Sequence, residues 1–328
     1  LRANACPGRG AGWYALAGLF VGLAFLSKYF AALLGFAYAV HILGWRRGRW
    51  WALPLMFVLA LPSIGINVGF NATHGWSNVM FNVFNRNEGS SWNLETLGVY
   101  VAMALYLLTP WLLWRALAAR PDAPGVSRTT ARTLLVLWLF PLAVFLLLSA
   151  RRTIGLHWVL GFVPLFVVWA GLRVPVRGLR TSFKATLALS LPHLIAVAAV
   201  AWAPLSLWQP TKLYDRLVFT RETPALAAAL KADLPAGATL MARTYNPAGM
   251  LAFHHGAYVP VFGVGRHHAR QDDQIVDFRS YDGQAIRVFL YDEPVLAEFA
   301  PYFERVSVKR FEIEGVAFFA VDGVGFRF

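Results

Sequence analysis

The stretch "GLAFLSKYFAALLG", residues 22–35, places a lysine inside an apolar region. Lys28 is the one formally charged residue between Ala11 and Gly44. A lone ammonium in the middle of a bilayer is costly, so a lysine there needs a physical reason. The region is too long for one comfortable span and short for two. We expect two short helices that turn near "SKY" at the membrane surface. The alternative is one long tilted helix whose Lys28 faces the interior of a helix bundle.

The rest of the first two thirds of the chain is also apolar. The 328 residues are 58% hydrophobic and 14% charged, with a mean hydropathy of +0.51, which exceeds that of an ordinary soluble domain. Further uncharged stretches have about the 20 residues that a helix needs to cross a bilayer. They are Trp50–Phe70, Thr96–Trp114, Thr133–Ser149, Thr153–Leu172 and Ala185–Ala203. The sequence therefore predicts a polytopic α-helical membrane domain over residues 1–208, with about seven helices including a short helical pair at 11–44.

The charge balance changes after Trp208. Residues 1–208 carry 17 Lys and Arg against three acidic residues, Glu88, Glu95 and Asp122, whereas residues 209–328 carry 13 against 14. The basic excess belongs to the membrane half, where cations flank spans, so it does not indicate nucleic-acid binding. The one cysteine, Cys6, excludes a disulfide within the chain.

Residues 209–328 read as a soluble α/β domain. We expect a helix with Thr223 as its N-cap, Pro224 at its first helical position and Gly237 beyond its end. A second helix is expected through "PAGMLAFHHG". The segments "ATLMART", "YVPVFG" and "AIRVFLYD" are typical of strands. "RVSVKRFEIEGVAFFAVDG" predicts a hairpin that turns near Glu314 and Gly315. This order of strands and helices predicts a mixed sheet covered by helices.

Loop charges predict the orientation in the membrane, because Lys and Arg mark cytoplasmic loops. Three basic loops alternate with the predicted spans: 45–49, 115–132 and 173–184. Single crossings then place the loop 71–95, the short "ARRTIG" at 150–155 and the α/β domain on the outer side. Arg151 and Arg152 lie on that side against the rule. They either serve a ligand or form a snorkelling interfacial pair.

Three outer elements are expected to converge on one site. They are Lys28, the loop 71–95 and "SARRTIGLHW" at 149–158. Arginine grips phosphate through two hydrogen bonds, and amides with tryptophans suit sugars. The alternative is an interfacial aromatic belt with polar loops. The cations or donors are Lys28, Arg86, Arg151, Arg152 and His157, accompanied by Asn71, Asn78, Asn82, Asn85, Asn87, Asn93, Trp76, Trp92 and Trp158.

These motifs resemble a known family. "GLFVGLAFLSKYFAALL" is similar to the glycine-led helix ending in lysine of the ArnT-like and protein-O-mannosyltransferase-like membrane glycosyltransferases, glycosyltransferase family 39 with the GT-C fold. "HGWSNVMFNVFNRNEG" followed by "LLTPWLL", and "SARRTIGLHWVLGFVPLF", resemble their next outer loop and their late motif. "TYNPAGMLAFHHGAYVPVFGVGRHHARQDD" resembles the periplasmic tail of this group. The resemblance covers most of the chain.

The resemblance implies a bacterial inner-membrane enzyme with a periplasmic C-terminal domain. Such an enzyme transfers a hexose or pentose from a polyprenyl-phosphate carrier to a glycan, lipid or protein acceptor. Lys28 would hold the lipid phosphate, and Arg86, Arg151, Arg152 and His157 would flank the phosphate or the sugar. An anion there would turn a costly lysine into a paired charge. Tyr245, Arg266 and Gln271 would contact acceptor or donor, or they form an ordinary solvated loop.

The catalytic base of this family does not have a clear match. The family's acidic base, which sometimes coordinates a metal, lies in the first outer loop, which would precede Leu1. We therefore interpret the chain as the C-terminal part of a longer protein with the catalytic Asp upstream. General-base chemistry needs a carboxylate near the acceptor hydroxyl. Glu88 in "RNEG" is better interpreted as an ion-pair partner of Arg86 or as a sugar contact than as the base. Glu95 is not expected to be the base, because it lies at the start of a predicted span.

Histidines in the α/β domain do not predict a metal site. The pairs His254-His255 and His267-His268 precede Asp272-Asp273, but adjacent histidines rarely point the same way, and no HxH or HxxxH spacing occurs. No cofactor is assigned from the residues; a divalent metal is left open by the resemblance alone.

Two other functions compete with glycosyl transfer. One is a non-enzymatic binder or transporter of lipid-linked sugars, which would need polar residues at mid-depth in the spans. The other is an enzyme of the O-antigen ligase or polymerase type, which also has periplasmic arginines and histidines.

Overall fold

The computed structural model describes residues 10–85, 91–119, 127–263 and 270–328. The predicted Arg86, Glu88 and Arg266 lie outside these ranges. The chain divides into two compact units. The helical unit contains the described residues 10–73 and 91–192, and the α/β unit contains residues 74–85 and 193–328. The boundary between a membrane domain and an α/β domain at residues 208 and 209, which the sequence predicts, stays a prediction.

The helical unit is built from helices of very different length. In chain order they are α1 Gly10–Ser27, α2 Ala32–Trp45, α3 Ala52–Thr73, α5 Leu94–Leu107, α6 Pro110–Ala118, α7 Arg128–Ser149, α8 Leu156–Val159, α9 Val163–Gly171 and α10 Val176–Trp202, with the short α4 Ser77–Met80 in the other unit. Among the described residues, α1, α3, α7 and α10 are long and apolar enough to cross a membrane. The number is five if α5 and α6, which meet at 75°, form one bent span.

The first apolar region forms a helical hairpin. Helix α1 ends at Ser27, and Lys28 has extended backbone (φ −158°, ψ 123°) before a 3-10 turn, Tyr29–Ala31, leads into α2. Tyr14 near the start of α1 shares a buried cluster with Ile42 near the end of α2. The two helices therefore run antiparallel, and Lys28 lies at the tip between them.

Helix α3 packs against α1 through small residues. A side chain on Gly22 would come within 2.9 Å of the Ala60 Cα, and one on Gly18 would overlap the Met56 backbone. Glycines four residues apart on one helix face allow this close backbone approach, as in many membrane helix pairs.

Helix α7 is the centre of the largest apolar cluster of the helical unit. Its buried face contains Trp138, Leu142 and Phe145, and these contact the cluster formed with Trp158 and Phe166 from the following segments. Trp138 lies 5.3 Å from the Phe166 ring centroid. These aromatic side chains stabilise the unit through their many close van der Waals contacts.

The α/β unit contains a four-stranded mixed sheet. Its strands are β1 Thr239–Ala242, β2 Ile286–Leu290, β3 Phe303–Ile313 and β4 Val316–Phe326, and its helices are α11 Tyr214–Ala232, α12 Tyr245–His255 and α13 Asp272–Ile275. The strand order is β1-β2-β4-β3, with β1 and β2 parallel and the other pairs antiparallel. Alternate residues of each strand serve two cores: Leu240 and Phe289 face the cluster with α11 and α12, and Met241 and Val288 face the opposite one.

The predicted hairpin is confirmed. Strands β3 and β4 pair from Phe303 with Phe326 to Ile313 with Val316. The two residues between them, Glu314 and Gly315, have φ values of 50° and 76°. Positive φ at both positions is the type I′ geometry that matches the twist of hairpin strands.

Two local predictions for this unit are wrong. Helix α11 begins at Tyr214, so Thr223 and Pro224 lie inside it, and the Thr223 hydroxyl donates to the Phe219 carbonyl. An internal proline costs about 3 kcal/mol, but the preceding turn buries Leu217, Val218 and Phe219, which outweighs it. In "YVPVFG", the only described pairing is a bridge between Val261 and Ala242, so this segment is not a full strand.

Candidate functional site

Lys28 is an exposed side chain with a single described hydrogen bond. Its Nζ donates to the backbone oxygen of His157 at 2.5 Å. His157 lies in α8 and is 129 residues after Lys28 in the chain. An ammonium has three donors, so this bond leaves two N–H groups for another acceptor. The structure therefore brings together two of the residues that the sequence singled out.

Aromatic contacts hold the hairpin tip in place. The Phe30 ring lies 4.6 Å from the Trp158 ring and 5.3 Å from the Phe145 ring. On the other side, the Tyr29 hydroxyl accepts hydrogen bonds from the Asn67 and Asn71 amides of α3 at 3.0 and 3.2 Å. The position of Lys28 is thus determined by its two neighbours in the chain as well as by its own bond.

Arg151 and Arg152 lie on the connection between α7 and α8, five to six residues before His157. The Arg151 guanidinium lies 5.2 Å from the centroid of the Trp92 ring, and Arg152 is half-buried. The backbone N–H of Asn93 donates to the Ala150 oxygen at 2.8 Å. These contacts place both arginines at the same end of α7 as the hairpin tip, although no contact joins either guanidinium to Lys28.

The helical unit has a strong excess of positive charge near this site. Glu95 is the only acidic residue among the described residues of this unit, 10–73, 91–119 and 127–192. Glu95 lies in the first turn of α5, where its N–H donates to the Asn93 side chain. The described cations at this end, Lys28, Arg151 and Arg152, therefore outnumber the single described carboxylate, and this excess of positive charge favours an anion.

The predicted outer loop is split between the two units. Asn71, Trp92 and Asn93 belong to the helical unit, whereas Trp76, Asn78, Asn82 and Asn85 belong to the α/β unit. Asn82 donates to the Asn78 backbone and side-chain oxygens, both at 2.8 Å. Sequence reasoning missed Tyr29 and Asn67. The sequence did contain a signal for this contact. Asn67 and Asn71 are four residues apart, so their amides lie on one face of an otherwise apolar helix.

The α/β unit contains the other predicted contact residues. Tyr245 is the first residue of α12 and is 52% exposed, and Gln271 precedes α13 and is exposed. Burial is the main cause that raises the Tyr245 pKa above its ordinary value. The charges of Asp272 and Asp273 also raise this pKa, whereas Arg270 and a hydrogen bond to the Gln271 backbone lower it. Tyr245 therefore lies beside the 270–273 turn.

The aspartates of this turn are already bonded within the protein. Asp272 is buried and accepts from the Tyr258 hydroxyl and, at 3.2 Å, from the Val261 N–H. Asp273 pairs with Arg270 at 3.0 Å. Across the described ranges, no three His, Cys, Asp or Glu side chains are grouped as metal ligands. His267 and His268 lie outside those ranges.

Comparison with known proteins identifies the fold. No protein-family model matches the chain, and no curated protein matches it. Among solved structures, ArnT from Cupriavidus metallidurans, crystallised with bound undecaprenyl phosphate, matches with a TM-score of 0.55. The match covers 95% of this chain and 69% of that chain at 15% sequence identity. The chain therefore has an ArnT-like GT-C fold.

Proposed function

We propose that this chain is a glycosyltransferase that moves a hexose or pentose from a polyprenyl-phosphate donor to an acceptor. We place the reaction on the periplasmic side of a bacterial inner membrane, together with the α/β domain. One observation carries the proposal: Lys28 is held at a hairpin tip against the His157 carbonyl, in an ArnT-like fold. The matched ArnT structure contains undecaprenyl phosphate, a ligand whose anionic group suits this cationic end.

The roles of the cations follow from the reaction. When the bond between the sugar and the phosphate breaks, negative charge increases on the departing phosphate. Lys28, with Arg151, Arg152 and His157, would hold the phosphate and stabilise that charge. Cations fixed before the reaction stabilise such a transition state more than mobile water does. The contacts of Phe30 and Tyr29 supply this fixed position for Lys28.

The second reactant is the acceptor hydroxyl. The acceptor hydroxyl attacks the anomeric carbon and loses its proton to a carboxylate base. Glu95 is the one described carboxylate of the helical unit, and it lies in the first turn of α5. We therefore retain the family's aspartate as the expected base and assign no described residue to that role. Tyr245 and Gln271 remain candidate contacts to acceptor or donor on the resemblance alone.

Lys28→Ala should lower sugar transfer by about 10²–10³-fold, the effect typical of losing one fixed donor to a developing oxyanion. The measurement is transfer of labelled sugar from a pool of polyprenyl-phosphate donors by the full-length protein in membranes. Lys28→Arg should retain part of the activity, because it keeps the charge but changes the geometry. Repeating the assay with a chelator tests for a divalent metal.

Lys184→Ala is the matched control, because it removes an exposed lysine from α10. This variant should transfer sugar at the unchanged rate at equal expression. Equal activity of Lys28→Ala and the parent would refute the phosphate-holding role. Binding of the donor with no transfer to any acceptor would instead favour a binder or transporter.

A further inference from the structure

A cationic cavity lies at the end of α7 opposite the Lys28 end. It has a volume of about 190 Å³ and is lined by Arg128, Ala131, Arg132, Leu135, Trp169 and Arg173. The four residues from α7 form one face of its first two turns, because they are spaced three and four residues apart. Since one water occupies about 30 Å³ in the liquid, the cavity has room for a phosphate group.

Arg173 is pre-organised at this cavity. Its Nε and Nη2 donate to the Ala116 and Ala119 oxygens, both at 2.9 Å, and its guanidinium lies 5.0 Å from the Trp169 ring centroid. An arginine has five N–H groups, so the two hydrogen bonds leave three for a ligand. A guanidinium that is already ordered loses little conformational entropy when it binds an anion.

Arg132, like Arg173, lies over a tryptophan ring. Its guanidinium lies 5.4 Å from the Trp45 ring centroid, and neither Arg132 nor Arg173 takes part in an ion pair among the described residues. Stacking on a ring face leaves the N–H edge of a guanidinium accessible to phosphate oxygens. Glu95, the described acid of this unit, lies beside the opposite end of α7, because Thr96 bonds the Ser149 oxygen there.

The position along the helix identifies the source of the anion. Helix α7 has 22 residues and therefore a length of about 33 Å, close to the roughly 30 Å hydrocarbon core of a bilayer. Its first turns, with Arg128 and Arg132, then lie at the depth of lipid headgroups. Leu135 and Trp169 add an apolar wall that suits the start of an acyl chain.

We propose that this cavity binds the phosphate of an anionic membrane phospholipid, at a site separate from the Lys28 end of the unit. Arg132 and Arg173 contact the phosphate oxygens, and Leu135 and Trp169 contact the glycerol and upper acyl carbons. The site does not depend on glycosyl transfer, since it uses none of the residues assigned to that reaction.

The experiment measures lipid retention by the full-length protein in mild detergent. Native mass spectrometry gives the fraction of protein that keeps phosphatidylglycerol or phosphatidylcholine after equal loading. The wild-type protein should retain phosphatidylglycerol preferentially. Arg132→Gln should lower this retention about fivefold, the effect of one cation near a charged lipid surface. Unfolding temperatures without added lipid show that the variant is folded.

Arg177→Gln is the matched control, because Arg177 is an exposed arginine of α10 in the same basic region and does not line the cavity. It should retain phosphatidylglycerol as the wild type does. Equal loss in both variants would show diffuse attraction and overturn the site, as would equal retention of the two lipids by the wild type. Displacement of the lipid by millimolar inorganic phosphate would overturn the lipid assignment in favour of a soluble phosphate compound.

Discussion

Arg287 is the largest fully buried side chain in the described part of the protein. It lies on β2 directly opposite Asp322 on β4, and its Nε and Nη2 donate to the two Asp322 oxygens at 2.6 and 2.7 Å. A third bond reaches the Leu230 oxygen on α11 at 3.2 Å, and Asp233 pairs with the same guanidinium at 2.9 Å. One buried cation thus joins two strands and a helix end.

Replacement of one partner should be far more damaging than replacement of both. Asp322→Asn leaves a buried guanidinium short of charge compensation, so we expect a loss of about 3 kcal/mol in the free energy of unfolding of the α/β unit. Arg287→Met combined with Asp322→Leu should recover most of that loss, because an apolar pair needs no compensation. Urea unfolding followed by intrinsic fluorescence measures both variants.

Glu312→Gln provides the comparison for this prediction. It breaks the pair between Arg310 and Glu312, whose side chains are 62% and 61% exposed. Such surface pairs contribute about 0–1 kcal/mol, so this variant should unfold almost as the parent does. A loss for Asp322→Asn as small as that for Glu312→Gln would contradict the structural role of Arg287.

At the level of elements, the helical hairpin depends on the glycines that contact α3. Helix α3 lies so close to α1 that a Cβ added to Gly22 would be 2.9 Å from the Ala60 Cα. The Ala60 backbone cannot move aside for an added side chain, whereas the end of a flexible side chain could. The contact between α1 and α3 also positions Tyr29, which receives its hydrogen bonds from α3.

Gly22→Leu should therefore separate α1 from α3. We expect a lower unfolding temperature in detergent and reduced sugar transfer, because the hairpin tip with Lys28 would shift. Gly12→Leu is the same substitution in the same helix, at a glycine with no neighbouring atom within 4 Å of an added Cβ. It should leave both quantities unchanged. Similar damage from the two variants would show that helix propensity, and not close packing, determines the effect.

At the scale of the whole molecule, helix α10 runs from the helical unit into the α/β unit. The division between the units falls at residues 192 and 193, inside its 27 residues. Arg221 on α11 caps its end, since Nη1 donates to the Ala203 oxygen at 2.5 Å and Nη2 donates to the Val200 oxygen. A cation at a helix C-terminus satisfies carbonyls that have no intrahelical partner.

Arg221→Ala should loosen the connection between α10 and α11. We expect faster cleavage within residues 203–213 by a low concentration of protease, while the sheet stays intact. Arg216→Ala on the same helix removes an exposed arginine that has no role at the α10 end, and it should be cleaved at the parent's rate. Equal cleavage of all three proteins would mean that Arg221 does not control this connection.

Sequence reasoning succeeded where a local pattern and its physical cause lie in the same segment. Lys28 was identified because it interrupts an uncharged region, and the turn at Glu314 and Gly315 because two alternating segments flank it. It failed at α11: Pro224 was predicted as the first helical residue, but the helix begins ten residues earlier, at Tyr214. The burial of Phe219 against Phe289 and Phe318, which are distant in sequence, decides that helix.

The sequence alone determined the apolar helices, the change to an α/β domain and the group of cations to examine. These follow from hydropathy, periodicity and charge, which are properties of neighbouring residues. Only the tertiary structure decided that Lys28 meets the His157 carbonyl, that Tyr29 is held by two amides of α3, and that Arg132 and Arg173 share a cavity. Each of these contacts joins residues far apart in the chain, and it forms only when packing of the apolar faces has fixed how the helices meet.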